Sequence, residues 1–249
     1  MSGSSSAALL TPRWPAPPTV RAAFTLRTGG VSAPPYASLN IGAHVGDAPA
    51  AVAENRRRVR AALQLTAEPA WLEQVHGTSV VDLDAPPQLH APADAAVTRQ
   101  AERVCVMQVA DCLPVLFAAR DGSALGAAHA GWRGLAAGVL EATVASLGVA
   151  PRELLVWLGP CIGPKHFEVG PEVREVFLAH DTHAQACFTS NPRGRWQCDL
   201  VGLARERLWA VGVSALYGGE WCTFADSARF FSYRRDGQCG RMAALIWRT

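Results

Sequence analysis

Three residues carry side chains that bind metals or attack substrates: His76, Cys112 and His129. Each lies where an apolar, strand-like run meets Gly or Asp, in "EQVHGTSV", "VADCLP" and "AAHAGWRG". Functional groups often collect where a rigid strand gives way to a loop. Two imidazoles and one thiolate suit tetrahedral zinc, and three protein ligands leave the fourth position open, as catalytic zinc requires. Copper is an alternative ion, because it also accepts soft sulfur together with nitrogen.

The same side chains have other interpretations. Cys112 and His129 could act as a nucleophile and its base. Cys112 could equally be a small buried hydrophobe, and the two histidines could be core or turn residues bonded to the backbone. The spacing of the three residues matches no short metal-binding motif. Residue chemistry alone therefore leaves a metal site, a Cys/His nucleophile and a structural role open.

Two charged residues next to these positions are further candidates. Asp111 precedes Cys112 and could orient a metal ligand or act as a general base, or it could cap a turn. Arg133 stands between Trp132 and a glycine just before a predicted helix, where it could bind a phosphate or carboxylate. The structural alternative for Arg133 is a surface arginine stacked on Trp132.

Weaker candidates occur towards the N-terminus. Asn40 and His44 lie in the Gly-rich segment "SLNIGAHVGD", where each is more typical of a turn residue than of a ligand. Arg27 is a polar residue in the strongly patterned stretch "VRAAFTLRTGG". By themselves these residue types indicate little about function.

The elements that must position these residues are predicted from hydrophobic periodicity. Strands are expected in the segments 20–32, 153–159 and 241–248 and in "VCVMQV", "LPVLFAA" and "ALGAAHA", and the three quoted runs are apolar enough to be buried on both faces. Two further short strands are expected in the segment 71–84, around His76-Gly77. Helices are expected from Pro49 onwards, in "LAAGVLEATVASLG", near 171–180 and near 199–211. Because strands and helices mix without strict alternation, the pattern favours an α+β fold with mixed sheets.

Length and composition limit the classes of protein. The chain has 249 residues, of which 49% are hydrophobic and 18% charged, enough for a substantial core. A net charge of +2 does not favour nucleic acid, and no apolar run reaches the length of a membrane span. The seven dispersed cysteines indicate a reduced protein. We expect a cytoplasmic protein with no nucleic-acid or membrane partner, with residues 1–19 as a flexible arm and 20–249 as one catalytic domain.

A series of ordered blocks resembles one family. They are "SLNIGAHVGD", "NRRRV", "WLEQVHGTSVV", "ADCLPVLFA", "AAHAGWRGLAAGVLE", "WLGPCIGPKHFEVG" and "CTFADSARFFSYRRDGQCGRMAALIW". Together they resemble the YfiH/YlmD family of laccase-domain or polyphenol oxidase-like proteins, also called peptidoglycan editing factors, of which FAMIN is a relative. The resemblance covers the chain from about residue 20 to its C-terminus.

The resemblance implies a metal site and an activity. The histidine of the family's Q-V-H-G block falls on His76, the cysteine of A-D-C on Cys112 and the histidine of H-A-G-W-R-G on His129, so these three would bind one zinc ion. Family members are described as purine nucleoside phosphorylases acting on adenosine, inosine, guanosine and methylthioadenosine, with adenosine deaminase as a second activity. The implied partners are a small-molecule nucleoside and phosphate, and the protein would be a monomer or small homo-oligomer.

The resemblance also implies a fold and further site residues. The fold is a layered α/β sandwich with mixed sheets, similar to the catalytic domain of cytotoxic necrotizing factor, in which a Cys/His pair acts as a deamidase. Asn40, Arg27, Asp111 and Arg133 fall in family blocks near the pocket. We expect Asp111 to join His76, Cys112 and His129 in catalysis, and the other three to bind substrate.

Three alternative functions remain at this stage. A copper-dependent, laccase-like polyphenol oxidase would need several copper sites, but the chain has seven histidines and no H-x-H pair. A hydrolase or amidase editing peptidoglycan precursors would use Cys112 or an activated water on an amide. A binding module would hold metal or nucleotide without catalysis. The combination of H-x-E with P-C-x-x-C that zinc deaminases carry is absent, because the chain has no C-x-x-C, so a deaminase activity would need a different scaffold.

Overall fold

The computed structural model describes residues 7–86 and 92–249. Thirteen strands and six α-helices are found in these residues: β1 (Leu9–Leu10), β2 (Val20–Thr25), α1 (Pro49–Leu63), β3 (Val80–Asp82), β4 (Ala95–Thr98), β5 (Cys105–Val109), β6 (Leu113–Ala119), β7 (Leu125–Ala130), α2 (Trp132–Ala137), α3 (Val139–Leu147), β8 (Leu154–Leu158), β9 (Glu168–Val169), α4 (Pro171–His180), β10 (Phe188–Ser190), β11 (Trp196–Cys198), α5 (Leu200–Ala210), β12 (Ala215–Gly218), α6 (Tyr233–Asp236) and β13 (Met242–Arg248). Short 3₁₀ turns occur at Pro151–Glu153 and Thr182–Cys187.

The strands form three sheets of different kinds. A four-stranded antiparallel sheet has the order β1-β2-β13-β5. A six-stranded sheet has the order β12-β8-β6-β7-β4-β3, in which the two outermost pairs are parallel and the three inner pairs antiparallel. A small antiparallel sheet has the order β10-β11-β9. The predicted α+β class with mixed sheets is therefore confirmed.

Three apolar cores show how these elements stack. Phe24 and Ile246 of the four-stranded sheet pack with Leu116 and Trp157 of the six-stranded sheet. The opposite face of the four-stranded sheet packs on a cluster that contains Val59 of α1. The opposite face of the six-stranded sheet is covered by residues of α3, α4 and α5. The layers thus run from α1 through two sheets to the remaining long helices.

The central strands are buried on both sides because of this layering. Every residue of β5, β6 and β7 is buried, as their continuous apolar sequences predicted. Strand β6 pairs with β7 from Leu113↔Ala130 to Ala118↔Leu125, and this register sets Cys112, just before β6, close to the end of β7. The pairing of β6 with β7 therefore brings Cys112 and His129 together.

Two predicted elements differ from the structure. The single helix expected after Gly134 is two helices, α2 and α3, separated at Gly138, whose φ of 104° ends the first helix. In the segment 71–84 only Val80–Asp82 is a strand. The residues before it form a loop in which His76 has a φ of 62°, outside the extended region that a strand requires.

The sequence predicts a flexible arm over residues 1–19. Residues 1–6 of this arm lie outside the described residues. Leu9–Leu10 pair with β2 through Leu9↔Thr25 and Leu10↔Phe24, so they form the edge strand of the four-stranded sheet. In the described part of the chain, no helix has the length and apolar character needed to cross a membrane.

Candidate metal centre

The side chains of His76, Cys112 and His129 converge at one end of the six-stranded sheet. Their ligand atoms all lie within 4.8 Å of one another, although the residues come from three different segments. The Sγ atom of Cys112 is 3.7 Å from Nε2 of His76. The two imidazole rings meet edge to face, with centroids 4.7 Å apart. The structure thus brings together the three residues that the sequence proposed as ligands.

The three ligands differ in their exposure. His129 lies on β7 and is only 3% exposed, whereas Cys112 is half-buried and His76 is exposed. His76 comes from the loop before β3, and its backbone conformation is the left-handed one. The group is therefore open to solvent on the side of His76, while His129 is buried.

Asp94, just before β4, organises the group and was not singled out from the sequence. Its Oδ1 atom lies 2.7 Å from Nδ1 of His129. The carboxylate also accepts hydrogen bonds from the backbone N–H groups of Val75, His76 and Gly77, at 3.1, 2.9 and 2.6 Å. One fully buried carboxylate therefore holds both histidine-bearing segments. The only sequence signal was an aspartate directly before the apolar run of β4.

Opposing influences act on the carboxyl group of Asp94. Burial is the largest and raises its pKa, but hydrogen bonds from His129 and from the backbone of Gly77 and His76 outweigh burial, so that the pKa is lowered. Asp94 is therefore an anion that fixes the proton of His129 on Nδ1 and leaves Nε2 available as a ligand.

Without a metal ion, Cys112 and His129 each favour the charged form of the other. Burial raises the pKa of Cys112, but the charge of His129 and hydrogen bonds from both histidines outweigh it and lower the pKa to about 6. Burial lowers the pKa of His129, but Cys112 and Asp94 outweigh it and raise the pKa to about 9. Near neutral pH the thiol is thus a thiolate, the form that both a metal ligand and a nucleophile require.

Gly131 leaves room for the three ligands to meet. A Cβ atom at this position would lie 2.8 Å from Cδ2 of His76 and 3.0 Å from Sγ of Cys112. Any side chain here would push at least one of the two ligands away. A compact set of two nitrogens and one sulfur, with a carboxylate behind one imidazole, fits a zinc ion and its usual surroundings.

The hydrogen bonds of Asp111 differ from the sequence expectation. Its carboxylate accepts hydrogen bonds from Oγ1 of Thr223 at 2.6 Å, Oγ of Ser232 at 3.0 Å and the backbone N–H of Arg234 at 2.7 Å. The partner that orients a ligand is Asp94, not Asp111. Asp111 instead joins the chain next to Cys112 to the segment that leads into α6.

Asn40 and Arg27 are likewise bonded within the protein. Asn40 is fully buried, and its side chain bonds to Gly42, Asp47 and the backbone N–H of Arg241. The guanidinium of Arg27 donates to the carbonyl groups of Ala37 and Ser227 and lies over a phenyl ring, that of Phe231. These contacts hold loops in place and leave little capacity to bind a substrate directly.

Arg133 adopts the stacked arrangement that was the structural alternative. Its guanidinium carbon lies 4.4 Å from the centre of the Trp132 ring. Within residues 7–86 and 92–249 its side chain has no hydrogen bond or ion pair. The guanidinium is therefore held in position by stacking while its N–H groups remain available to an anion.

A second Cys/His pair lies outside this group. The Sγ atom of Cys222 is 3.6 Å from Nδ1 of His166, whose ring stacks on Phe224 with centroids 4.5 Å apart. Cys222 also accepts a hydrogen bond from the backbone N–H of Gly163. This pair has no third metal-ligating side chain beside it within the described residues. It therefore offers a matched control for the metal group, which consists of His76, Cys112 and His129.

Comparison with known proteins adds the family context. Residues 21–249 match the family model described as multi-copper polyphenol oxidoreductase laccase. The chain is 56% identical to a protein of Pseudomonas aeruginosa named purine nucleoside phosphorylase, with 96% of this chain and 98% of the relative covered. It is 52% identical to the Escherichia coli protein named purine nucleoside phosphorylase YfiH, with the same coverage.

A solved structure has the same fold. The crystal structure of a Neisseria meningitidis protein of the DUF152 family superposes with a TM-score of 0.90 at 46% sequence identity. The alignment covers 96% of this chain and 98% of that chain. The arrangement of sheets and helices described above is therefore shared with an experimentally determined relative.

Proposed function

Because the chain belongs to the YfiH family of laccase-domain proteins, we propose that it is a zinc-dependent purine nucleoside phosphorylase. Its substrates would be adenosine, inosine, guanosine and methylthioadenosine, together with phosphate, and adenosine deamination would be a second activity. The observation that carries the proposal is the convergence of His76, Cys112 and His129 within 4.8 Å. This group lies in a chain that is 56% identical to a relative named purine nucleoside phosphorylase.

The donor set supports one zinc ion as the cofactor. Sγ of Cys112 and Nε2 of both histidines would hold the ion, with Asp94 fixing the tautomer of His129. When bound, zinc supplies a Lewis acid that polarises a substrate or water oxygen. Gly131 keeps the space between His76 and Cys112 clear for the ion.

The reaction requires the chain to bring phosphate and a nucleoside together. One phosphate oxygen forms a bond to C1′ of the ribose while the bond from C1′ to the purine nitrogen breaks. The purine leaves with that electron pair and takes up a proton, which gives a free base and ribose 1-phosphate. Positive charge builds up on the ribose during bond breaking, so an anion held beside it stabilises the transition state.

The remaining candidate residues have different parts in this proposal. Arg133 keeps free N–H groups at the start of α2, where they can donate to an acceptor group of the bound nucleoside. Asn40, Arg27 and Asp111 act as positioning residues, because their polar groups bond to neighbouring loops. For Asp111 we propose a role in holding the chain next to Cys112, in place of the catalytic role expected from the sequence.

The experiment that tests the proposal combines metal analysis with product identification. The purified protein is assayed for zinc content and incubated with adenosine and phosphate. We expect one zinc per chain and the release of adenine and ribose 1-phosphate. Failure to form these products would exclude the phosphorylase, and inosine formed without phosphate would reveal the deaminase activity.

Paired cysteine variants sharpen this test. Cys112→Ala removes the sulfur ligand, so we expect loss of both zinc and phosphorolysis. Cys222→Ala removes the thiol of the second Cys/His pair, which has nearly the same S···N separation, and is expected to keep both. Normal zinc occupancy in Cys112→Ala would show that the ligand set is wrong.

The pairing of Cys112 with His129 supports an alternative function, an amidase or hydrolase that edits peptidoglycan precursors. The specific observation in its favour is the 3.7 Å separation of Cys112 Sγ from Nε2 of His76, with His129 also beside the thiol; the two histidines lower the pKa of Cys112 to about 6, which favours the nucleophilic thiolate. Zinc-free protein distinguishes the two functions. An amidase that attacks through Cys112 gains activity on a cell-wall amide when zinc is removed, whereas the phosphorylase loses activity on adenosine.

The family description also names polyphenol oxidation, for which copper would replace zinc. In residues 7–86 and 92–249 the structure offers one three-residue group of metal-ligating side chains. Phenol oxidation that depends on added copper, while phosphorolysis depends on zinc, would mark the oxidase as a secondary property. The cytoplasmic location and the monomeric or small homo-oligomeric state stay predictions.

A further inference from the structure

A second feature of the structure is a cavity of about 380 Å³. Its walls include His44, Tyr233, Gln238 and Arg241, and none of its lining residues is Asp or Glu. The volume falls within the range typical of small-molecule sites. The cavity therefore combines room for a ligand with an excess of cationic and neutral hydrogen-bonding groups.

Arg241 is the cation that makes this cavity distinctive. Its Nη1 atom donates to the carbonyl groups of Cys239 and Gly240, which fixes the side chain. Within the described ranges 7–86 and 92–249, its Nε and Nη2 groups have no hydrogen-bond acceptor and the guanidinium has no carboxylate partner. A fixed guanidinium with free N–H groups is a typical receptor for a phosphate or carboxylate.

His44 shows that positive charge is concentrated around the cavity. The pKa of His44 is lowered, first by burial and then by the charges of Arg241, Arg56 and His129. Arg56 is fixed in turn, because its Nε atom donates to the carbonyl of Ile41.

The carboxylate closest in sequence to His44 is already engaged. Asp47 accepts hydrogen bonds from the hydroxyl of Ser32, the amide of Asn40 and the backbone N–H of Ala48. Its negative charge is therefore held by its own loop. This leaves the cations of the cavity without a protein counter-ion from this segment.

Two buried polar residues hold segments that line the cavity. Oδ1 of Asn40 accepts hydrogen bonds from the backbone N–H groups of Gly42 and Arg241, and so ties the loop of His44 to the wall that carries Arg241. The carboxylate of Asp111 holds Ser232 and Arg234 on either side of Tyr233. Because Asp111 directly precedes Cys112, the cavity and the metal group share one rigid support.

We propose that the cavity lined by His44, Tyr233, Gln238 and Arg241 binds phosphate. Its affinity for an oxyanion follows from the unpaired guanidinium and the absence of lining carboxylates. The choice of phosphate rests on the proposed phosphorylase function. Arg241 is the principal ligand of the anion, and His44 and Gln238 supply further hydrogen bonds.

The test measures binding of inorganic phosphate to the zinc-loaded protein by calorimetry, independently of activity. Arg241→Gln keeps a polar side chain but removes the charge, and we expect phosphate to bind at least about tenfold more weakly. His44→Glu places a carboxylate in the cavity and is also expected to weaken phosphate binding at least about tenfold. Arg152→Gln, at an exposed arginine outside the cavity, is the matched control and should bind phosphate normally.

The outcomes distinguish failure of the phosphate site from failure of the proposed function. Phosphate binding that is lost in Arg241→Gln and His44→Glu supports the subsite even if the wild-type protein fails to cleave nucleosides. In an active enzyme, the same variants should raise KM for phosphate much more than KM for adenosine. Absence of phosphate binding by the wild type, or binding lost in Arg133→Gln but retained in both cavity variants, would overturn the proposal.

Discussion

Asp94 lies 2.7 Å from Nδ1 of His129 while the backbone N–H of His76 donates to the same carboxylate oxygen at 2.9 Å. A single buried anion is therefore bonded to two of the three proposed metal ligands, to one through its side chain and to the other through its backbone. The position of the metal group depends on this carboxylate as much as on the ligands themselves.

Replacing Asp94 should weaken the metal site without removing a ligand. In Asp94→Asn the negative charge behind His129 is lost and one side-chain atom can no longer accept a hydrogen bond. We expect zinc affinity to fall about 10- to 100-fold, measured by competition with a chelator. Asp84→Asn, which changes a carboxylate bonded to Thr98 at the other end of β4, is the control and should keep the affinity. Equal losses in both variants would contradict a specific role for Asp94.

The reactivity of Cys112 should follow an unusual pH profile in the zinc-free protein. Its pKa is lowered to about 6, because the charge of His129 and hydrogen bonds from both histidines outweigh burial. The thiolate therefore predominates above about pH 6, and alkylation should slow only as the pH falls through that value. An unperturbed thiol would already slow below about pH 8.5.

Alkylation by iodoacetamide, with the modified cysteine located by mass spectrometry, measures this profile. Five of the other six cysteines are buried, which leaves half-buried Cys222 as the internal comparison. Added zinc should protect Cys112 and not Cys222. A rate for Cys112 that keeps rising between pH 7 and pH 9 would refute the thiolate.

Gly131 should be sensitive to the smallest substitution. In Gly131→Ala the new Cβ would lie 2.8 Å from Cδ2 of His76 and 3.0 Å from Sγ of Cys112, so one ligand must move. We expect zinc affinity to fall at least about tenfold, with the protein still folded. In the control Gly126→Ala, on the same strand-to-helix segment, the nearest atoms would be 3.4 Å from the added carbon. Unchanged zinc affinity in Gly131→Ala would show that the ligands meet elsewhere.

Asp111 should contribute to stability more than to chemistry. Asp111→Ala leaves the hydroxyls of Thr223 and Ser232 and the backbone N–H of Arg234 without an acceptor. We expect the free energy of unfolding in urea to fall by about 3 kcal/mol. Asp121→Ala, at an exposed turn carboxylate, should change it by less than about 0.5 kcal/mol.

The metal content of the Asp111 variant separates the two roles. Folded Asp111→Ala protein, kept at low temperature, should still bind zinc because no ligand has been removed. A variant with unchanged stability and lost phosphorolysis would instead restore the catalytic role that the sequence suggested.

From the sequence alone, the three candidate metal ligands and most of the secondary structure could be predicted. His76, Cys112 and His129 stand at the ends of apolar runs, and the runs of β5, β6 and β7 are buried as their composition predicted. Such features are local, because apolar periodicity and side-chain chemistry can be read within a few residues. The family blocks then pointed to the same three ligands.

The choice of polar residues that support the site follows from tertiary packing. The hydrogen bonds of Asp94 to His129, of Asp111 to Ser232 and of Asn40 to Arg241 join segments far apart in the sequence. No local pattern encodes such pairs, since each carboxylate or amide could equally serve as a turn residue. Because these groups are buried, each needs a hydrogen-bond partner within the protein, since an unpaired polar atom in the core costs free energy. The same long-range packing created the cavity beside Arg241, which no motif in the sequence indicated.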